Sequence, residues 1–230
     1  MMTIVFLAPP AAGKGTHSLR LIKKYNLAHI STGDILREKM QNDDEVAYYL
    51  RETLSTGKLV KDEIIYQLLE ERFSKSDCQN GYILDGFPRN VEQAIKLDEI
   101  QKHIHHKLNY VFLFDIDKEI LKKRIIGRRI CDSCGAVYNI NFSEHAPKME
   151  STCDICGGKL YQRTDDNIAS FEVRYQTYLD NVKPIADYYR KKGVLICIDA
   201  NVEENEVFKQ IENAIDHSLI NKTSKEENND

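Results

Sequence analysis

Thr3-Ile4-Val5-Phe6-Leu7-Ala8-Pro9-Pro10-Ala11-Ala12-Gly13-Lys14-Gly15-Thr16 decides the architecture. Thr3–Leu7 is a short, nearly continuous apolar run and reads as a buried strand. It breaks at a proline and glycine turn, and a helical pattern resumes over Gly15–Tyr25. The turn approximates G-x-x-x-x-G-K-[S/T], with Ala8 at the first glycine position. A strand feeding such a turn and then a helix sets backbone N–H groups at the helix N-terminus, where an anionic phosphate can be held. Lys14 adds a point charge, and Thr16 is a candidate for a Mg²⁺-linked hydroxyl. An ordinary strand-to-helix turn with a surface lysine is the alternative reading of this segment alone.

Outward from that turn, Ala28–Ser31, Tyr82–Asp85, Tyr110–Asp115 and Val194–Asp199 repeat the pattern of short apolar runs. They do not alternate with polar residues, as expected of parallel strands covered on both faces. Helical patterns occupy Gly33–Gln41, Glu45–Thr56, Asp62–Ser74, Val91–His103, Lys118–Ile126, Ser170–Lys192 and Glu203–Ser218. Pro184 is expected to kink or divide the longest of them. The alternation predicts an α/β fold with a five-stranded parallel sheet and right-handed crossovers. Two stretches depart from it. From Gly33 to Ser74 helices follow one another with no strand between, a helical excursion from the core. From about Arg128 to Arg163 glycine, cysteine and asparagine dominate and helical periodicity is lost, which marks an inserted module.

The 230 residues suffice for one well-buried domain with insertions. Hydrophobic residues at 42% and charged residues at 30% exclude global disorder. No apolar run is long enough to span a bilayer, and the N-terminus lacks the basic start of a signal peptide. A net charge of −4 argues against a broadly basic nucleic-acid surface. Of six cysteines, four form two C-x-x-C pairs, Cys131/Cys134 and Cys153/Cys156, with 18 residues between them. In a chain with no secretory segment this spacing points to a tetrahedral four-thiolate site for Zn²⁺, with iron as the chemical alternative. His103, His105, His106 and His145 are expected to be solvated.

Further segments carry a resemblance. Gly13–Thr16 (G-K-G-T), Ser31–Arg37 (S-T-G-D-x-L-R), Gly57–Val60 (G-K-L-V), Asp85–Arg89 (D-G-F-P-R), Arg124–Arg129 (R-I-x-G-R-R) and Arg163–Asp166 (R-x-D-D) stand in one order along the chain. In these the sequence resembles the adenylate kinases of the nucleoside-monophosphate kinase family, in their long form with a zinc-bearing lid. The resemblance implies a P-loop core with two insertions: core at 1–31, 62–127 and 166–220, a helical monophosphate-binding insertion at 32–61, a zinc-binding lid at 128–165, and a flexible tail at 221–230. It implies the reaction ATP + AMP ⇌ 2 ADP with Mg²⁺, a structural Zn²⁺ on the four cysteines, and a cytoplasmic monomer whose partners are ATP, AMP and ADP, with neither nucleic acid nor membrane.

The same resemblance assigns residues. Ala11, Ala12, Gly13, Lys14, Gly15 and Thr16 match the ATP phosphate loop, and Arg128, Val137, Tyr138 and Val202 match positions around the ATP base. Thr32, Arg37, Lys58, Leu59, Val60, Gly86, Phe87, Pro88, Arg89 and Gln93 match the AMP site, joined there by Arg163 and Arg174. Lys14, Arg89, Arg124, Arg128, Arg163 and Arg174 match cations around the transferred phosphoryl group, and Asp85 matches the carboxylate that holds Mg²⁺-bound water. Asp165 and Asp166 are expected to order the lid arginines. The chemistry of each agrees with its role: arginine forks grip phosphates bidentately, and an amide offers the donor and acceptor that an adenine edge requires. Seven of the 11 arginines fall in or beside these segments, a bias that a solvated face does not produce. Turnover of another nucleoside monophosphate, a zinc-containing nucleic-acid-binding ATPase, and a nucleotide binder without turnover are the rival readings. The last is motivated by Ala8 and Ala11 where the family has glycine.

Overall fold

The computed structural model describes residues 1–56 and 60–226, with side chains through residue 216. The chain runs β1 (Met2–Leu7), α1 (Lys14–Tyr25), β2 (Ala28–Ser31), then three successive helices, α2 (Thr32–Lys39), α3 (Glu45–Ser55) and α4 (Asp62–Phe73). It continues through β3 (Gly81–Asp85), α5 (Val91–His103), β4 (Tyr110–Asp115) and α6 (Lys118–Gly127). Three short strands follow, β5 (Arg128–Cys131), β6 (Val137–Asn139) and β7 (Leu160–Tyr161), and then α7 (Ile168–Lys191), β8 (Leu195–Asp199) and α8 (Glu204–Glu226). Local chemistry starts the helices: Ser31, Asp44, Asn90 and Asn167 each accept a hydrogen bond from a backbone N–H in the first turn that follows.

The central sheet is parallel, in the order β2-β3-β1-β4-β8. Val5 of β1 lies beside Leu84 of β3 and Val111 of β4. Alternate residues of one strand enter opposite cores. Val5, Leu7, Leu84 and Val111 pack with α2–α5, whereas Ile4, Phe6, Ile83 and Phe112 pack with α1, α6 and α8. Burial on both faces is why these strands read as continuous apolar runs. Register brings Ser31 and Phe6 level with Asp85, so the C-terminal strand ends share one edge. Open α/β sheets bind ligands at that edge.

The module between α6 and α7 is a second, antiparallel sheet in the order β6-β5-β7. Its strands are too short to announce themselves by apolar pattern. Three expectations need correction. α7 passes through Pro184 without division, held by Ile185, Ala186 and Tyr189, which are buried immediately beyond it. α8 continues to Glu226, into the stretch expected to be a flexible tail. His106 is not solvated: it lies against the Tyr82 ring at 5.7 Å, and burial lowers its pKa. Among the described residues no helix is long and apolar enough to cross a membrane.

Candidate active site

The loop after β1 turns twice through left-handed backbone, at Ala11 (φ 63°) and at Gly13 (φ 88°). Such turns point successive N–H groups inward and make an anion cradle. Glycine accepts this geometry without cost, but alanine meets its own Cβ there, at about 1–2 kcal/mol. Ala8, the other departure from the glycine pattern, is outside the left-handed region. The strain at Ala11 is present before any phosphate arrives, so its relief belongs to folding rather than to ligand affinity. Ala11→Gly is expected to raise Tm by about 2–4 °C, reduced by the greater freedom of unfolded glycine, with KM for ATP unchanged. Ala8→Gly should lower Tm. Calorimetry of both variants checks this, and a lower Tm for Ala11→Gly would remove the strain.

Lys14 opens α1 and bends back over the loop. Its Nζ donates to the carbonyls of Ala8 (3.2 Å) and Pro9 (3.0 Å) and lies 3.9 Å from Asp85. Burial lowers its pKa to about 8 against the opposing pull of Asp85, and Arg174, Arg89 and Arg128 push in the same direction as burial. Gly15 is exposed, Ala12 buried and Thr16 half-buried on the first turn.

Of the arginines assigned from sequence, Arg89, Arg124, Arg128 and Arg174 gather around this loop, and Arg37 and Arg163 meet at Asp34 of α2. Arg124, near the end of α6, reaches to within 4.0 Å of where a Cβ on Gly13 would stand. Arg128 forms a two-pronged pair with Asp166, which is 4% exposed. Arg174 of α7 donates to Asp165 at 3.0 Å. Arg163 approaches Asp34 of α2 at 3.6 Å, and Asp34 also pairs with Arg37. Arg89 donates through Nε to the Gly86 carbonyl at 2.7 Å, and burial, reinforced by Arg174, lowers its pKa to about 10. Burial likewise leads the lowering at Arg124, Arg163 and Arg174. Cations desolvated together are poised for a polyanion.

Beside them Thr32, Val60, Gly86, Phe87, Arg89 and Gln93 line one cavity with Leu36, Leu54 and Ile65. Gly86 has φ 83°, and a Cβ there would come within 2.8 Å of Thr32 Oγ1, which donates to the Asp85 carbonyl. Pro88 belongs to the turn between Gly86 and Arg89. Gln93 is 2% exposed. Lys58 and Leu59 lie outside the described residues. Sequence reasoning missed Asp34 and Asp62. The first stands inside a quoted segment, and the second has only its place at the start of α4 to mark it.

On the other side, Val202 follows β8 and packs, half-buried, against the second core. Val137 is exposed. The Tyr138 side chain is tied into the cysteine module. Its hydroxyl accepts from the Asp154 N–H at 2.8 Å and lies 3.4 Å from Cys153 Sγ.

The four paired cysteines converge with all sulfurs within 4.8 Å of one another. Cys131 and Cys156 sulfurs are 3.5 Å apart, and Cys134 and Cys153 sulfurs 3.6 Å. A tetrahedral ion about 2.3 Å from each sulfur sets neighbouring sulfurs ~3.8 Å apart, so the donor set fits Zn²⁺. Gly135 and Gly157, both left-handed, donate to the carbonyls of Cys131 and Cys153 and close the two knuckles. The Tyr138 hydroxyl beside Cys153 favours the thiolate at that sulfur, whereas the neighbouring sulfurs raise the pKa of Cys156.

Comparison with known proteins agrees with this geometry. The family model described as Adenylate kinase matches residues 6–194. A protein named Adenylate kinase from Thermosipho africanus is 44% identical over 214 residues, 93% of this chain and 99% of that protein. One of the same name from Clostridioides difficile is 45% identical over 210 residues, 91% and 96% of the two chains. A third, from Archaeoglobus fulgidus, is 43% identical over 211 residues, 92% and 96%.

Proposed function

The chain belongs to the adenylate kinase family and is a phosphotransferase catalysing ATP + AMP ⇌ 2 ADP, and from that premise we propose how its own residues carry the transfer. One observation supports the reading above all. Lys14 and the arginines meet at the sheet edge between a phosphate loop and a separate cavity that ends in Arg89 and Gln93.

The loop 11–16 holds the ATP phosphates through its N–H groups and Lys14. Arg37 and Arg89 grip the AMP phosphate, and Thr32, Val60 and the Gly86–Arg89 turn close around the nucleoside. Arg124, Arg128, Arg163 and Arg174 converge on the phosphoryl group in transit. The attacking AMP oxygen is already anionic, so no general base is needed. Catalysis is alignment and charge neutralisation, with water excluded by the folded-over lid. Thr16 and Asp85 would hold Mg²⁺ arriving with ATP, which would supply further neutralisation of phosphate charge. Zn²⁺ on Cys131, Cys134, Cys153 and Cys156 is structural, since four thiolates leave no open position. Residues 32–61 and 128–165 act as the two closing pieces on a core of 1–31, 62–127 and 166–220. The working unit is a cytoplasmic monomer whose partners are nucleotides.

Formation of ADP from ATP with AMP, UMP, CMP and GMP tests the acceptor. Gln93→Ala is expected to raise KM for AMP by about tenfold or more, because two buried hydrogen bonds to the base are lost, and to leave KM for ATP unchanged. An equal rise for both substrates would place Gln93 outside the acceptor site.

A further inference from the structure

An amide side chain can read adenine only if its two ends are told apart. Adenine offers an acceptor at N1 and a donor at the 6-amino group. Hypoxanthine offers a donor at N1 and an acceptor at O6, and is otherwise the same base. A glutamine that turned over by 180° would exchange its carbonyl and amino ends and take the wrong base as well as the right one.

Gln93 is held at both ends. Its Oε1 accepts from the Arg89 backbone N–H at 2.7 Å, a group that can only donate. Its Nε2 donates at 2.6 Å to Asp62 Oδ1, a carboxylate that, ionised, can only accept. Asp62 Oδ2 in turn accepts from the Tyr66 hydroxyl at 3.3 Å, which steadies the carboxylate. The backbone of Gln93 is fixed by its hydrogen bond to Asn90 Oδ1 at 2.7 Å. One N–H and one lone pair of the amide remain for the cavity that Gln93 lines.

We propose that Asp62 is a specificity-determining positioning residue: it fixes the sense of the Gln93 amide and thereby selects a 6-amino purine over a 6-oxo purine at the acceptor site. This rests on reading that cavity as the AMP base site. Asp62 stands at the start of α4, across the cavity from α5, so the selection is set by the packing of one helix against another. Turning the amide over would set the Nε2 donor against the Arg89 N–H and Oε1 against the Asp62 carboxylate. Both clashes oppose the 6-oxo base, and the charged one is the stronger.

The test is kcat/KM for AMP divided by that for IMP, measured in the wild type, Asp62→Asn, Asp62→Ala, Gln93→Ala and Asp62→Ala/Gln93→Ala. KM for ATP and bound zinc serve as controls for folding. Asp62→Ala is expected to lower the AMP:IMP ratio by about tenfold, the worth of a buried hydrogen bond to a charged group. Asp62→Asn, which keeps a neutral acceptor, should fall between Asp62→Ala and the wild type. In the Gln93→Ala background Asp62→Ala should change the ratio no further, because Asp62 acts only through that amide. A ratio that collapses in Gln93→Ala but holds in both Asp62 variants overturns the proposal and leaves the base site in place. A ratio unmoved by Gln93→Ala overturns the base-site reading and the proposal with it. Additive losses in the double variant would make Asp62 a general support of α4 and also overturn it.

Discussion

Lys14→Met lowers kcat/KM for phosphoryl transfer by about 10³-fold or more, the scale of removing a charge that faces the transition state. The effect is expected in turnover and not in folding. Among the described residues, Lys14 bonds to the carbonyls of its own loop and pairs with Asp85. Replacing a desolvated cation by an apolar chain of similar length should hold or raise Tm. Zinc content should be unchanged, because the cysteine cluster belongs to a separate sheet. Substantial residual activity would mean that the loop does not carry the chemistry. The same lysine gives the enzyme a pH signature. Its pKa is about 8 in the free protein against an ordinary 10.5, and a bound phosphate favours the charged form. ATP binding therefore takes up a proton between those values, and ATP affinity falls as pH rises through them. In Lys14→Met that proton uptake should vanish from a titration run in two buffers of different ionisation heat.

Cys153→Ser, or metal chelation, lowers Tm by roughly 10 °C, since a structural zinc site supplies several kcal/mol and each kcal/mol shifts a domain of this size by a few degrees. The lid's own core is only Cys131, Cys153 and Leu160, with Ala136 and Tyr138 packed against it. Without the ion, little apolar area holds β5, β6 and β7 together. Cys134 and Cys156 are exposed, so a chelator has access. Activity at low temperature should fall less than stability. Scanning calorimetry with metal analysis before and after chelation checks both halves. Immediate loss of turnover with Tm unchanged would assign the metal a catalytic role.

The central sheet was legible because burial on both faces writes itself as unbroken apolar runs. Each of the five strands was placed within one residue of its observed ends, and α5 matched at both ends. The lid sheet was not legible, because β6 and β7 span three and two residues and are held by cysteine knuckles rather than by apolar pattern. Pro184 misled for the opposite reason. Its ring weakens one turn, but Ile185, Ala186 and Tyr189 are buried immediately beyond it, and that packing outweighs the local loss. At the site, motif spacing picked out arginines that the fold brings near one another. It also supplied Asp165 and Asp166, which pair with Arg174 and Arg128, but not the remaining acidic partners. Asp62, Asp34 and the turning of Tyr138 toward Cys153 depend on which elements face one another, and spacing along a chain carries no such information.

The approach of Arg163 to Asp34 joins the loop after β7 to α2, so the inserted module meets the helical excursion after β2. On the proposed closure of both insertions, a contact made between two shutters, rather than between either shutter and its frame, is completed only when both have swung in. Whichever nucleotide draws in its own side has then done part of the work for the other. Linkage makes that help mutual, so AMP strengthens ATP binding by the same factor by which ATP strengthens AMP binding. The factor is small. With Asp34 56% exposed, the bridge is open to water, and exposed pairs contribute up to about 1 kcal/mol, or roughly fivefold in affinity. It is also sensitive to salt, so the two substrates should bind more independently of one another as ionic strength rises.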